Sequence, residues 1–341
     1  MTLQRRILIL LTAVLVLAGV GIVAVVRASS RAQEKNQEQA GGPRITPGPL
    51  SLTPDGGRRI VFRNMAWGPH RDELASVPAD RPEGERTASG VSCLRFYAAA
   101  GTGVCLRSVK GGVQDSYRAV VLDAHLKEVS SHPLAGIPTR ARVSPGGHLV
   151  AWTVFVGGDS YAGTDFSTRT SLLDTRTGRY DASLEDFAVS KDGHPYRAAD
   201  VNFWGVTFAA DERTFYATLA TGGKTYLVHG DLAERTLTTV RENVECPSLS
   251  PDGTRIVFKK RVPGAPADAP WRLYALDLAS GVETPLAEAR SVDDQAVWTD
   301  DHTVAYSLPG DFGSDLYSVP ADGSGAPVRF MPSALAPAFL G

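Results

Sequence analysis

Short apolar runs, each entered through a tight polar turn, recur along most of this chain. The clearest is Ser250-Pro251-Asp252-Gly253-Thr254-Arg255-Ile256-Val257-Phe258, whose first four residues suit a chain reversal and whose last three suit a buried strand. Pro fixes φ at the first turn position, Asp supplies a side-chain acceptor, and Gly takes the positive φ. Weaker copies begin at Thr53, Ala98, Ser144, Ala209 and Thr299, so six anchors follow one another at spacings of 45, 46, 65, 41 and 49 residues. A period of about 40 to 50 residues is that of a propeller blade.

The runs after the anchors, such as Ile60-Val61-Phe62, Leu149-Val150-Ala151-Trp152 and Phe215-Tyr216-Ala217, are nearly continuous in hydrophobicity. Strands buried on both faces between stacked sheets read that way. A second hairpin follows in most repeats, where an alternating strand meets an Asp- and Gly-bearing turn, as in Leu273-Tyr274-Ala275-Leu276-Asp277-Leu278-Ala279-Ser280-Gly281. Two hairpins make a four-stranded blade. The pattern therefore predicts an all-β, six-bladed β-propeller over residues 50–341. The last apolar segment, Ala334-Leu335-Ala336-Pro337-Ala338-Phe339, resembles a strand that precedes an anchor, yet no anchor follows it. Pairing into the first blade would close the ring and remove its open edges.

The N-terminus has a different pattern. Ile7 to Val26 is uncharged and contains fourteen Ile, Leu or Val residues. At 1.5 Å rise this reaches roughly 30 Å, a hydrocarbon thickness, with on the order of 4 to 8 kcal/mol favouring insertion. The span exceeds a signal-peptide core, and Val26-Arg27-Ala28 is a poor cleavage site. The reading is a short cytoplasmic tail (1–6), a transmembrane signal anchor (7–26) and a flexible tether (27–49) rich in Arg, Gln, Glu, Gly and Pro. The alternative is secretion after cleavage. The expected location is a single-pass cell-membrane protein with its propeller extracytoplasmic.

Cys93 and Cys105 fall on two arms of one expected hairpin, so a disulfide is predicted, which requires an oxidising compartment. The alternative is that both are small buried hydrophobes. Cys246 has no evident partner. With 35 basic and 37 acidic residues the formal net charge is -2. No broad basic field exists to attract nucleic acid.

Around Ser250-Pro251-Asp252-Gly253, and again at Trp271-Arg272-Leu273-Tyr274-Ala275-Leu276-Asp277-Leu278, the chain resembles the PD40 type of WD40-like repeat characteristic of TolB-like propellers. The resemblance runs from about Pro49 to the C-terminus. It implies a six-bladed propeller acting as a bacterial cell-envelope binding scaffold, with a protein or envelope ligand as partner. TolB itself carries an α/β domain before its propeller, for which the tether leaves no room, and is soluble after signal cleavage. Peptidase propellers share the repeat, so the repeat alone does not specify function.

Candidate chemistry is sparse. Gly158-Asp159-Ser160-Tyr161-Ala162-Gly163 superficially matches a serine-nucleophile turn, but a nucleophile elbow needs a strand before it and a helix after it, and a hairpin loop fits better. The seven histidines are scattered without HxH, HExxH or paired cysteines, so neither a metal nor a cofactor is expected. The 65-residue interval between the anchors at Ser144 and Ala209 must extrude a loop. It carries His194, Tyr196, Arg197, Asp200, Asn202 and Trp204, a mixture suited to a recognition surface at one mouth of the ring. The opposing possibility is that Trp204 begins a core strand and the charges are solvated. A second long connection contains Trp67, His70, Arg71 and Asp72. The rival function is an envelope hydrolase or lyase whose site is assembled in the central channel.

Overall fold

A computed structural model describes residues 3–38, 40–54, 56–111, 115–162 and 166–341; Asp55 of the first anchor and Gly163 lie outside the described residues. Six sheets follow in chain order and form the blades of a propeller. Blade 2 is built from Arg95–Ala99, Thr102–Val109, Ser116–Leu122 and Glu128–Leu134, running from the axis outward. Blade 5 has the same plan, from Glu245–Leu249 inside to Glu283–Pro285 outside, as does blade 6, from Val297–Trp298 to Val328–Met331. Blade 3 starts from Ile137–Val143 and blade 4 from Asn202–Phe208. From blade 1 to blade 6 the innermost strands contact one another in order, and Thr303–Gly310 and Gly313–Pro320 of blade 6 contact Ala334–Leu340 of blade 1.

The C-terminal strand Ala334–Leu340 is the innermost strand of blade 1. It pairs antiparallel with Arg59–Asn64, with Arg59 opposite Leu340 and Asn64 opposite Ala334. The last strand of the chain thus completes the first blade, as its resemblance to the other pre-anchor strands predicted.

In blades 2 to 6 each anchor joins an innermost strand to the second strand, and the first anchor leads into Arg59–Asn64, the second strand of blade 1, so the anchor turns share one face of the ring. The turn chemistry explains the repeated phrase. Ser250 Oγ accepts from the Arg255 amide at 3.0 Å, the Gly253 amide donates to Ser250 O at 2.9 Å, and Gly253 sits at φ 71°. Ser144 and Gly147 repeat this at the third anchor, where the Leu149 amide donates to Ser144 Oγ at 2.9 Å and Gly147 has φ 78°. At the weaker anchors an Asp takes over, with Asp211 and Asp300 each accepting at 2.8 Å from the amide that opens the next strand. Between the blades the sheets bury continuous apolar layers, including Val61, Leu74, Phe96 and Val120 between blades 1 and 2.

Cys93 and Cys105 are disulfide-bonded, with Cα atoms 5.3 Å apart. They are not paired across the ladder as the sequence suggested. Cys105 faces Phe96, and Cys93 reaches it from the connection that precedes the strand. Cys246 is buried and unpaired.

The N-terminal helix is Leu3–Asn36, the one helix among the described residues long and apolar enough to cross a membrane. It runs past Val26 through a stretch of good helix formers (Ala, Arg, Gln, Glu, Lys) that was expected to be tether. Ile45–Pro47, also inside the expected tether, adds a parallel strand to the outer edge of blade 1 beside Arg86–Ala88. The Lys35 carbonyl accepts from the Gly68 amide at 2.9 Å, which joins the end of the helix to a blade 1 loop on the face opposite the anchor turns.

Candidate functional site: an axial funnel with a closed floor

The extra length before the fourth blade does not form a loop over a mouth of the ring. Ala188–Lys191 and His194–Tyr196 make a hairpin that extends the outer edge of blade 4, with Ala188–Ser190 parallel to Thr236–Thr238. The unpaired edge of that blade offered backbone hydrogen bonds that a free loop would have left to water. His194 and Arg197 are exposed on this outer structure. Tyr196 donates to or accepts from Thr221 Oγ1 at 2.9 Å, while Asp200 accepts from Thr221 Oγ1 and the Gly222 amide, at 2.7 and 2.6 Å, and so caps the neighbouring hairpin. Asn202 and Trp204 belong to the innermost strand, and Trp204 is buried. The six residues therefore spread from the outer edge to the axis rather than converging. The connection with Trp67, His70, Arg71 and Asp72 packs locally: Trp67 stands edge-on to Phe312 at 5.3 Å, and Asp72 pairs with Arg63 at 2.7 Å.

What converges is the axis itself. On the anchor-turn face, a cavity of about 410 Å³ touches all six blades. Its wall is aromatic: Tyr97 from blade 2, Tyr216 from blade 4, Trp298 from blade 6 and Phe339 from blade 1. Arg58 stands on the rim, its guanidinium donating to Thr299 O, and Arg142 lies below. Asp252, the carboxylate lining the cavity, is occupied by the Ser250 hydroxyl and by the Thr254 amide and hydroxyl; these bonds, the Ser250 one foremost, hold it below the usual carboxylate range.

The floor is made by side chains that cross the axis. Arg142 Nη2 donates to Ala296 O at 3.2 Å and Arg140 Nη2 to Asp293 O at 2.6 Å, both from blade 3 to the opposite side of the ring. Gln295 returns from blade 6, donating to Val206 O at 3.1 Å and Pro247 O at 2.7 Å on blades 4 and 5. The space among Arg140, Arg142, Trp152 and Gln295 holds no room for water.

Behind the floor, a loop from blade 3 covers the far mouth on the side of blades 4 and 5. The loop between Leu149–Gly157 and Ser167–Asp174 carries Tyr161, which is 2 % exposed and packed on Phe155, Phe166, Trp204 and Trp271. Its hydroxyl meets Thr139 Oγ1 at 2.8 Å, its carbonyl accepts from Arg261 Nη2 at 2.6 Å, and its ring faces the Arg140 and Lys259 cations at 4.8 and 5.3 Å. Burial pushes the Tyr161 phenol up. Lys259, fully buried, pairs with Asp293 at 2.6 Å and lies 3.9 Å from the centre of the Trp271 ring. The Asp293 side chain keeps 55 % of its surface exposed; partial desolvation by its surroundings would raise its carboxyl, but Lys259 and Arg140 outweigh that and hold it low. Glu245, buried like Lys259, takes Arg261 Nε at 2.9 Å and the Trp271 indole at 3.0 Å on one oxygen, leaving its other oxygen without a partner among the described residues. The Ser160 hydroxyl on this loop accepts from the Ala162 amide at 3.2 Å, a local turn contact.

With this geometry established, similarity to solved structures bears on the fold. TolB from Acinetobacter baumannii superposes with a TM-score of 0.55 at 17% identity, over 83% of this chain and 66% of the TolB chain. The chain has a TolB-like propeller fold. A chain of the nidogen/laminin complex gives 0.54 at 10% identity, over 83% of this chain and 98% of its own. A puromycin-hydrolysing peptidase of Mycobacterium tuberculosis is more distant, at 0.47 and 14% identity, over 84% of this chain and 45% of that one. No family model and no curated protein sequence matches the chain.

The funnel residues were missed in the sequence, yet a signal for them was present. Tyr97, Arg142 and Trp298 each lie one or two positions before an anchor, where an innermost strand must end at the mouth. Sequence reasoning weighed loop length instead, and that length went to the outer edge.

Proposed function

We propose that this protein is a membrane-anchored, extracytoplasmic binding scaffold of the bacterial cell envelope, and that it receives a protein segment or envelope ligand in the axial funnel. The observation that carries this reading is the cavity touching all six blades above a floor of crossing arginines. A closed floor favours seating a ligand over passing one through, and aromatic walls with a few fixed polar groups are the usual composition of a binding pocket. In this reading the apolar part of the Leu3–Asn36 helix is the anchor, and the Cys93–Cys105 disulfide fits an oxidising compartment. The carboxylates near the axis speak against the hydrolase or lyase alternative, since the buried Glu245 and the more exposed Asp293 are each engaged by a cation. A general base needs a pKa near the working pH, and Asp293 is held low.

Proximity crosslinking of the full-length protein in its native membrane, with mass spectrometry, tests the scaffold. A reproducible partner lost on Tyr97→Ala/Tyr216→Ala and retained on Tyr196→Ala/Arg197→Ala is expected. Loss with the second pair alone would move the binding surface to the outer edge of blade 4.

A further inference from the structure

Two buried arginines of this fold, each with its Nε unpartnered among the described residues, differ in how many hydrogen bonds their guanidinium makes. Arg86, 1 % exposed, spends its guanidinium on the structure, donating to Asn64 Oδ1 at 2.7 Å, to Ser333 O at 2.9 Å and also to Pro332 O. Arg142 is 6 % exposed and makes one hydrogen bond among the described residues, from Nη2 to Ala296 O. Among the described residues its Nε has no hydrogen-bond partner and no carboxylate lies at ion-pair distance from it. The Tyr97 ring, 4.4 Å from its central carbon, and the Ala296 carbonyl fix the plane of this group without neutralising it. A cation held in place, largely desolvated and left without a counter-charge attracts an anion more strongly than the same group in water.

The surroundings favour the same sign. Arg58 stands at the rim, whereas Arg140, behind Arg142 on the same strand, has the Asp293 carboxylate 3.7 Å from its Nη2. Asp252 already accepts three hydrogen bonds from Ser250 and Thr254. Above the charge, Tyr97, Tyr216, Trp298 and Phe339 supply an apolar wall, and about 410 Å³ is the size of a small-ligand site.

We propose that the funnel is a receptor for an organic carboxylate carried next to an aromatic or apolar side chain, with the carboxylate directed at Arg142. This deepens the scaffold reading and rests on it. The same chemistry is offered by a free N-acylated amino acid and by the C-terminal residue of a peptide chain. A guanidinium recognises a carboxylate through paired N–H donors, which an amide of the same shape cannot replace.

The test is titration calorimetry of the full-length protein in detergent, with N-acetylphenylalanine, its amide, and a five-residue peptide ending in Phe with either a free or an amidated terminus. At least one free acid is expected to bind at least tenfold more tightly than its amide, and which acid does so identifies the source. Arg142→Gln should abolish the difference between acid and amide, and Arg142→Lys should keep part of it. The acid–amide comparison is made on the wild-type protein, so it stands even if a variant fails to fold. Equal binding of acids and amides, or no binding of any probe, overturns the carboxylate inference. If amides bind equally and Tyr97→Ala/Tyr216→Ala abolishes that binding, the funnel remains a binding site and only the carboxylate is lost. If no probe binds, the crosslinking experiment still decides the scaffold independently.

Discussion

The two mouths of the ring are made from the same strands and are used in opposite ways. On the anchor-turn side the innermost strands end in short turns that leave the axis open as an aromatic funnel. On the other side, one longer hairpin loop folds Tyr161 from blade 3 over the axial side of blades 4 and 5, where it packs with Trp204, Trp271 and Phe166. The charges divide in the same way. Beside Tyr161, Lys259 and Arg261 are paired with Asp293 and Glu245, whereas Arg142 in the funnel has no carboxylate partner among the described residues. A turn of minimal length cannot reach the axis and the nine-residue connection 158–166 can, so loop length decides which end of this propeller is free to bind.

The contrast can be broken most severely at the plug. Tyr161→Ala removes a buried ring from an aromatic cluster and should cost about 3 to 5 kcal/mol, read as a shift in the urea unfolding midpoint. A smaller effect is expected from acid. A carboxyl that the fold holds low contributes stability above its unfolded value of about 3.9 and loses it as pH falls through the folded value. Asp293 is such a group, so the wild type should lose stability below about pH 4 while Asp293→Asn shows a shallower dependence over the same range. The smallest effect belongs to the funnel. Tyr216→Ala, partly buried on the wall, should cost about 1 kcal/mol of stability while weakening whatever the funnel binds.

Much of this architecture could be read before the structure, because it depends on local chemistry. A Ser-Pro-Asp-Gly turn followed by Ile256-Val257-Phe258 carries its own instructions, and six copies at blade spacing leave few alternatives. The closing strand was legible because Ala334–Leu340 has the pattern of an innermost strand and lacks a successor. The site was not legible in the same way. Arg142 and Ala296 are far apart in the chain and meet only because blades 3 and 6 face one another across the axis. Tyr161 sits in a Gly- and Ser-rich stretch that reads as solvent-exposed loop, and nothing local reveals that Thr139, Lys259 and Trp204 wait for it at the axis. The insertion around Tyr196 was found by its length, but the edge that captured it belongs to Thr236–Glu242, which follows it in the chain.

The central claim is that the axis is open at one end and sealed at the other, and the protein contains its own reporter. Cys246, 1 % exposed, is the one free cysteine among the described residues and belongs to the sealing cluster. The decisive measurement is the rate of maleimide labelling under native conditions, comparing Cys246 in the wild type with a thiol placed in the funnel by Ala210→Cys. The account predicts that the funnel thiol reacts at the rate of an exposed cysteine, while Cys246 reacts only as the structure opens and is released by Tyr161→Ala. Labelling of Cys246 as fast as the funnel thiol would show the plug to be open, and would contradict the account.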